Sequence, residues 1–174
     1  ILGRIKGISR PAIATPLPAM KGITLLLDSG ANADCTVENL QQFALMGSVY
    51  AKKVLKSDNP KVALVNIGSE KTKGNELSIK AYEELEKMEN INFTGNIEGR
   101  EIPQGVADVI VADGFVGNII LKLMEGMGKT ITSIIKEEVS KSFSSKIGAY
   151  LMKDAFRGLK KKMDYTEIGG APLL

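Results

Sequence analysis

The chain has 174 residues, of which 23 are Lys or Arg and 20 are Asp or Glu, so its formal net charge is +3. Apolar types make up 44% and charged types 25%, which is ordinary globular composition and excludes general disorder. Histidine is absent and Cys35 is the single cysteine, so within this chain a Ser-His-Asp triad, a His-liganded metal site and an internal disulfide are excluded. This cysteine usage suits a reducing compartment, and we expect a cytoplasmic location.

The length fits one domain or a large piece of one. No apolar run approaches the roughly 20 residues that span a bilayer, and the sequence shows no signal-peptide pattern. We predict a single α/β domain over 1–174. Because the chain begins without Met and stops in an apolar stretch, we expect this domain to be incomplete and part of a longer protein.

The first predicted unit is a strand followed by a helix. Residues 22–28 are continuously apolar up to Asp28, which is typical of a strand buried on both faces. After a loop at 29–32, Thr36 suits a helix N-cap, and apolar residues at helical spacing predict a helix over 37–55.

The same alternation then continues along the chain. The further predictions are a strand at 62–67, a polar loop at 68–74, a helix at about 75–88, a short strand at 91–93, a polar connection at 95–105, a strand at 108–112, a tight loop at 113–117 and a helix at about 118–139. Strands and helices that alternate at this spacing predict βαβ units, a mostly parallel sheet and helices on its faces.

The segment 145–163 differs from the rest in charge. Apolar residues share one helical side: Gly148, Leu151, Met152, Ala155, Phe156, Leu159 and Met163. Basic residues lie on the other side: Lys146, Lys153, Arg157, Lys160 and Lys161. We predict a basic amphipathic helix here.

Four predicted strand ends combine glycine with an amide or a carboxylate, at 28–32, 66–69, 95–100 and 113–118. In open α/β sheets, ligands bind beyond the carboxyl ends of the strands. Each stretch alone is explained by ordinary turn and cap residues. Four alike favour a shared ligand crevice.

The stretch 113–118 is the strongest indication of a ligand site among the four, because it joins a buried strand to a helix start. Free N–H groups and the helix dipole favour an anion there. Lys122 lies one turn beyond Asn118 on the same side, so an anion would meet both. The alternative is a capped helix with a solvated Lys122.

Other polar residues admit two interpretations. Lys71, Lys73, Gly74 and Asn75 form a second polar cluster before a helix, and Arg100 is either a phosphate ligand or half of a surface ion pair with Glu98.

Several partial matches to known functional motifs are not supported by the residues around them. The stretch 128–130 resembles the end of a P-loop, but Leu123 stands where that motif needs glycine. No dinucleotide fingerprint follows a strand, and the basic segment has too few aromatic residues to favour nucleic-acid binding. Cys35 is expected to be a buried or loop thiol rather than a nucleophile.

Six phrases, in order along nearly the whole chain, are similar to one known family. They fall at 10–18, 27–35, 73–77, 93–100, 113–118 and 169–174. Together they resemble the bacterial phosphate acyltransferases of phospholipid synthesis, also called acyl-ACP:phosphate transacylases. The family's amino-terminal glycine-rich motifs, first strands and final strand have no counterpart in this sequence.

The resemblance implies a three-layer αβα sandwich, similar to phosphate acetyltransferases and isocitrate dehydrogenases, and a homodimer. It implies transfer of a fatty acyl group from acyl carrier protein to inorganic phosphate, giving acyl phosphate without a cofactor or a metal. Two alternatives stay open. One is a short-chain phosphate acyltransferase that uses acyl-CoA, and the other is a non-catalytic fragment that binds carrier protein, membrane or its own copy.

The resemblance also suggests site residues. Phosphate acetyltransferases carry a similar Asp-x-x-x-Gly-Asn-x-x-x-Lys pattern, so Asn118, Lys122 and Asp113 are the predicted catalytic residues. The predicted substrate-binding residues are Asn32, Lys73, Gly74, Asn75, Arg100, Gly114 and Gly117. In this hypothesis backbone N–H groups at 114–118 bind phosphate, which attacks the thioester directly, and an asparagine amide stabilises the oxyanion. The basic segment 145–163 would contact a membrane surface, the acidic carrier protein, the core or a dimer mate.

Overall fold

The computed structural model describes residues 5–163 and 170–173. Its elements, in chain order, are β1 (Ala12–Ala19), β2 (Gly22–Leu27), α1 (Val37–Lys53), β3 (Lys61–Asn66), α2 (Glu76–Glu86), β4 (Asn92–Glu98), a 3₁₀ helix (Gly99–Gln104), β5 (Val109–Val111), α3 (Gly114–Ser140), α4 (Phe143–Leu151), α5 (Lys153–Met163) and β6 (Ala171–Leu173). Lys160, Lys161 and Met163 were assigned to the two sides of the basic amphipathic helix, and their side chains lie outside what the structure describes. The first and last residues of the phrase at 169–174 also lie outside the described residues.

The strands form a six-stranded sheet in the order β4-β3-β5-β2-β1-β6. Strands β4, β3, β5 and β2 are mutually parallel, and β1 is antiparallel to both β2 and β6. Within the described residues β1 is therefore the one strand that opposes the others. The predicted mostly parallel sheet is confirmed.

Helices cover both faces of this sheet. Alternate residues of β2 show the arrangement: Leu25 and Leu27 pack under α1 and α2, whereas Leu26 packs on the opposite side beneath α3 and the 3₁₀ helix. Phe43 of α1 is fully buried in the first layer. The predicted three-layer αβα architecture is confirmed.

Two strands differ from the sequence prediction. No strand was predicted at β1, although β1 pairs with β2 from Thr15 to Ala19. Strand β4 continues to Glu98, five residues past its predicted end, because Gly95 sits inside a bulged strand rather than at its end.

The segment 145–163 is two helices, α4 and α5, rather than one. Met152 lies between them. None of the α4 residues is buried, so little packing favours a single straight helix through this segment.

Helices α3, α4 and α5, with Met152 between the last two, expose many large apolar side chains. They are Ile119, Leu123, Met127, Ile131, Ile134, Phe143, Ile147, Tyr150, Leu151, Met152 and Leu159. Within the described part of the chain, no helix combines the length and apolarity that crossing a membrane requires.

Candidate functional site

The sheet topology creates a switch point between β3 and β5, and we refer to the region beyond the carboxyl ends of these two strands as the crevice. These strands are neighbours and parallel, so their carboxyl ends meet at one edge. The chain leaves β3 toward α2 on one face of the sheet and leaves β5 toward α3 on the other face. Such a switch point is where α/β folds bind ligands.

Asp113 caps the helix that follows β5. Its Oδ1 accepts a hydrogen bond from the Val116 N–H at 2.7 Å, and α3 begins at Gly114. The predicted tight loop at 113–117 is therefore wrong, since a capped helix starts four residues earlier than expected. Asn118 and Lys122 consequently lie in the second and third turns of α3.

The backbone amides assigned to phosphate binding are largely used by the fold. The Gly114 N–H donates to Asn32 O at 2.7 Å, and the Gly117 N–H donates to Asp113 O at 2.8 Å. With Val116 bonded to Asp113, Phe115 N–H is the first-turn amide that finds no acceptor within the described residues. The structure thus contradicts the predicted role of Gly114 and Gly117 as amide donors to phosphate.

Gly114 has a steric role instead. A Cβ at residue 114 would lie 2.6 Å from Asn32 O, so only glycine lets α3 approach the loop after β2 this closely. The two loops on this side of the crevice are therefore packed together backbone to backbone.

Asp28 organises that loop, and sequence reasoning did not single it out. The carboxylate is fully buried, and its Oδ1 accepts from the backbone amides of Ile13, Gly30 and Ala31 at 3.0–3.2 Å. Its Oδ2 accepts from the N–H of Asn32 at 2.7 Å and from its Nδ2 at 2.9 Å. The available signal was an aspartate at the end of a continuously apolar strand.

The side-chain amides of Asn32 and Asn118 differ in whether they are hydrogen-bonded. The Asn32 amide donates to Pro11 O at 2.8 Å as well as to Asp28, so neither of its hydrogens remains for an oxyanion. Asn118 is exposed, with its side chain 3.5 Å from the position of a Cβ on Gly30, and its amide has no partner within the described residues. Of the two, Asn118 has a free amide at the crevice.

Lys122 lies one turn beyond Asn118, as predicted. Its Nζ is paired with Glu125 at 3.0 Å, and its side chain is 63% exposed. An exposed ion pair of this kind is weak, so a phosphate competes for the ammonium at little cost.

The loop between β3 and α2 brings the second polar cluster to the same edge. Asn75 caps α2, and its Oδ1 accepts from both the N–H and the hydroxyl of Ser78 at 2.8 Å. Its Nδ2 and the Nζ of Lys73 have no partners in the described chain. Lys71 is not a free donor like Lys73, because its Nζ is paired with Glu86 and lies 5.4 Å from the Tyr82 ring centroid.

Arg100 follows β4 at the outer edge of the sheet. Its guanidinium is 3.0 Å from Glu98 Oε1, and its side chain is 76% exposed. The structure therefore shows the surface ion pair that was the alternative to a phosphate ligand.

Cys35 sits behind the Asp28 loop. Burial is the main reason that the pKa of its thiol is raised to about 11, and the charges of Asp113 and Asp28 add to the effect. Its Sγ lies 3.5 Å from Asn32 O, to which it donates. A half-buried neutral thiol agrees with the predicted non-nucleophilic role.

Comparison with known proteins points to one family. The model of the family described as "Fatty acid synthesis protein" matches residues 1–174. Proteins named phosphate acyltransferase are 58% identical over 174 residues in Alkaliphilus oremlandii and 55% identical over 173 residues in Thermoanaerobacter pseudethanolicus. The matches cover 100% and 99% of this chain but 52% of each relative, so the chain spans about half the length of these relatives.

Solved structures support the fold. A phosphotransacetylase from Streptococcus pyogenes superposes with a TM-score of 0.58 at 19% identity, over 74% of this chain and 45% of its own. The EutD phosphotransacetylase from Staphylococcus aureus gives 0.56 at 20% identity, over 72% and 44%. At these identities the likeness establishes a shared αβα fold.

Proposed function

The chain belongs to the fatty acid synthesis protein family, and we propose that it forms part of the active site of a phosphate acyltransferase. The observation that carries the proposal is the set of polar donors that follow the two strands of one switch point. The Asn118 amide follows β5, and the Lys73 ammonium and Asn75 Nδ2 follow β3; these three have no partner within the described residues. The Lys122 ammonium, also after β5, has an exposed ion pair with Glu125. The close relatives named phosphate acyltransferase agree with this chemistry.

The proposed reaction moves a fatty acyl group from acyl carrier protein to inorganic phosphate. A phosphate oxygen attacks the thioester carbonyl carbon, a C–O bond forms, and the C–S bond breaks. The thiolate of the carrier protein leaves and takes up a proton. The product, an acyl phosphate, serves phosphatidic acid synthesis.

Each of these donors has a part in this scheme. Lys122 and Lys73 offset the phosphate charge, and Asn118 donates to the oxygen that becomes negative in the tetrahedral transition state. Holding both substrates in one crevice supplies much of the remaining rate. Asp113 acts through the helix that it caps, by fixing where Asn118 and Lys122 stand.

No acyl-enzyme is needed, and the nucleophiles next to the crevice are poorly suited to form one. The Cys35 thiol is neutral at physiological pH. The Ser29 hydroxyl is buried, 2.7 Å from Thr15 Oγ1 and 3.0 Å from Ile13 O. We propose a direct transfer without a cofactor.

We further propose that the protein is a homodimer. Ile119, Leu123 and Met127 recur every four residues on the outward face of α3 and are exposed. A contiguous apolar surface of this kind is typical of a protein interface. We expect Leu123→Glu combined with Met127→Glu to give a monomer in light scattering, whereas a dimer of unchanged mass would contradict this interface.

The α4–α5 segment is proposed to contact an anionic membrane surface from the cytoplasmic side. Phe143 and Leu151 are 79% and 78% exposed, next to Lys146 and Lys153. Apolar side chains with neighbouring lysines suit an interfacial helix. We expect Leu151→Glu combined with Phe156→Glu to abolish co-sedimentation with anionic liposomes; unchanged sedimentation would instead favour carrier-protein docking through this segment.

The test of the enzymatic proposal uses the natural protein that carries this chain. Phosphate-dependent release of free thiol from acyl carrier protein thioester is measured for the wild type, Asn118→Ala and Lys129→Ala. We expect Asn118→Ala to lower kcat about 100-fold, as the loss of an oxyanion donor does, and Lys129→Ala on the same helix to have no effect. Preference for acyl-CoA would identify the short-chain alternative, and binding without turnover would refute the enzymatic role.

A further inference from the structure

Asn96 reaches from β4 into the loop that precedes α2. Its side chain is 93% buried, and its Nδ2 donates to Glu70 O at 2.9 Å. The same carbonyl accepts the Lys73 N–H at 3.1 Å. One strand side chain and one loop amide therefore fix the carbonyl of Glu70 between them.

The far end of the loop is held in the same way by the neighbouring strand. Asn66 Nδ2 donates to Lys73 O at 2.9 Å, while its Oδ1 accepts the Ile67 N–H at 2.8 Å. Gly74 has φ +101°, and a Cβ there would lie 2.5 Å from Asn66 Oδ1. Two asparagines on adjacent strands thus clamp the residues that deliver Lys73 and Asn75 to the crevice.

A β-bulge aims Asn96 at this loop. Along β3 and β4 the partners shift from Val62 and Phe93 to Leu64 and Asn96, so β4 gains one residue, and Gly95 has φ +99°. Without the extra residue, Asn96 would point to the opposite face of the sheet. Bulges of this kind re-aim side chains next to functional sites.

Stability alone does not explain an asparagine at residue 96. Its Oδ1 is buried and has no hydrogen-bond partner within the described residues. An unsatisfied buried acceptor disfavours folding, and an apolar residue of similar size would avoid that cost. What asparagine supplies, and leucine would not, is the N–H donor to Glu70.

We infer that Asn96 is a positioning residue, which acts through the Glu70 carbonyl to hold Lys73 and Asn75 in place for anionic substrate. The kinetic part of this inference rests on the proposed acyl transfer to phosphate. The clamp itself is a property of the fold and is measurable without activity.

The activity-independent test is hydrogen exchange of the Lys73 amide in the natural protein. We expect Asn96→Leu to speed this exchange at least about fivefold without lowering Tm, because the loop is released while the unpaired acceptor is removed. Thr94→Val is the matched control on β4, since Thr94 Oγ1 donates to Val62 O of the neighbouring strand β3 at 3.1 Å and makes no hydrogen bond to the loop within the described residues. A lower Tm with unchanged Lys73 exchange would overturn the inference.

The kinetic test is a double-mutant cycle with Lys73→Ala. We expect Asn96→Leu to raise the KM for inorganic phosphate about fivefold with kcat little changed, and to add almost nothing once Lys73 is alanine. A rise in the KM of the acyl donor instead would place the anionic group of the thioester donor at Lys73. Full additivity would overturn the inference, whereas a wild type without phosphate-dependent turnover would overturn only the proposed function.

Discussion

Gly117 packs directly on the backbone carbonyl of Asp28, such that a Cβ at residue 117 would lie 1.8 Å from Asp28 O. This contact sets the distance between α3 and the loop after β2. It also fixes where Asn118, the next residue, enters the crevice. The geometry of the site therefore requires glycine at residue 117, because a Cβ there would collide with Asp28 O.

Gly117→Ala is expected to destabilise the protein by about 3 kcal/mol, because a rigid backbone oxygen must move to admit the methyl group. Gly126→Ala is the control on the same helix, where nothing lies within 4 Å of the added Cβ. That change is expected to stabilise by about 0.5–1 kcal/mol through helix propensity. Urea denaturation measures both, and two changes of the same sign and size would contradict the packing argument.

Asp28→Asn is expected to lower the free energy of unfolding by about 3 kcal/mol. The Nδ2 group that replaces Oδ2 accepts neither the backbone N–H nor the side-chain N–H of Asn32, so buried donors lose their partner. Asp58→Asn is the control, because Asp58 is exposed and its side chain has no hydrogen bond within the described residues. We expect that change to stay within about 0.5 kcal/mol. Equal effects in thermal unfolding would show that the Asp28 network contributes little.

Cys35 is expected to react slowly with thiol reagents. Its pKa of about 11 lies two units above the ordinary value of 9.0, so at pH 8 its thiolate fraction is about 100-fold lower than that of an exposed cysteine. The rate of iodoacetamide alkylation should rise about tenfold per pH unit between pH 8 and 10. Mass spectrometry measures this alkylation. An alkylation rate that reaches a plateau near pH 9 would mean that the thiol is not desolvated.

Glu125→Gln is expected to lower the KM for phosphate about twofold to threefold, because it frees the Lys122 ammonium from its exposed partner. Glu137→Gln is the comparison further along the same helix, where the partner is Lys141. It should leave the KM unchanged. A KM that is the same in both variants would remove Lys122 from the phosphate site.

The sequence pattern predicted the alternating strands and helices well, because continuous apolar runs and helical periodicity reflect burial on both faces of a sheet. The N-cap at Thr36 also followed from residue type, and Thr36 accepts the Asn39 N–H. These features depend on neighbours within a few positions of each other along the chain.

Features that depend on distant partners were missed. Strand β1 contains Pro16 and Pro18, which argue against a strand. Among the described residues β6 pairs with Ala12–Ala14, and none of them pairs with either proline on that side of β1. Glycines 114 and 117 indicated a loop, whereas they are required by contacts with residues some 85 positions earlier. For the same reason, the sequence could not show that the Asn32 amide is already hydrogen-bonded to Pro11.

The most direct test of the central claim is a joint measurement of product and thiol. The natural protein that carries this chain is incubated with acyl carrier protein thioester and phosphate, and acyl phosphate is quantified by mass spectrometry while free thiol is titrated. We expect equal amounts of both, strict dependence on phosphate and loss of both in Asn118→Ala. Thiol release that continues without phosphate, or that Asn118→Ala leaves intact, would contradict direct acyl transfer in this crevice.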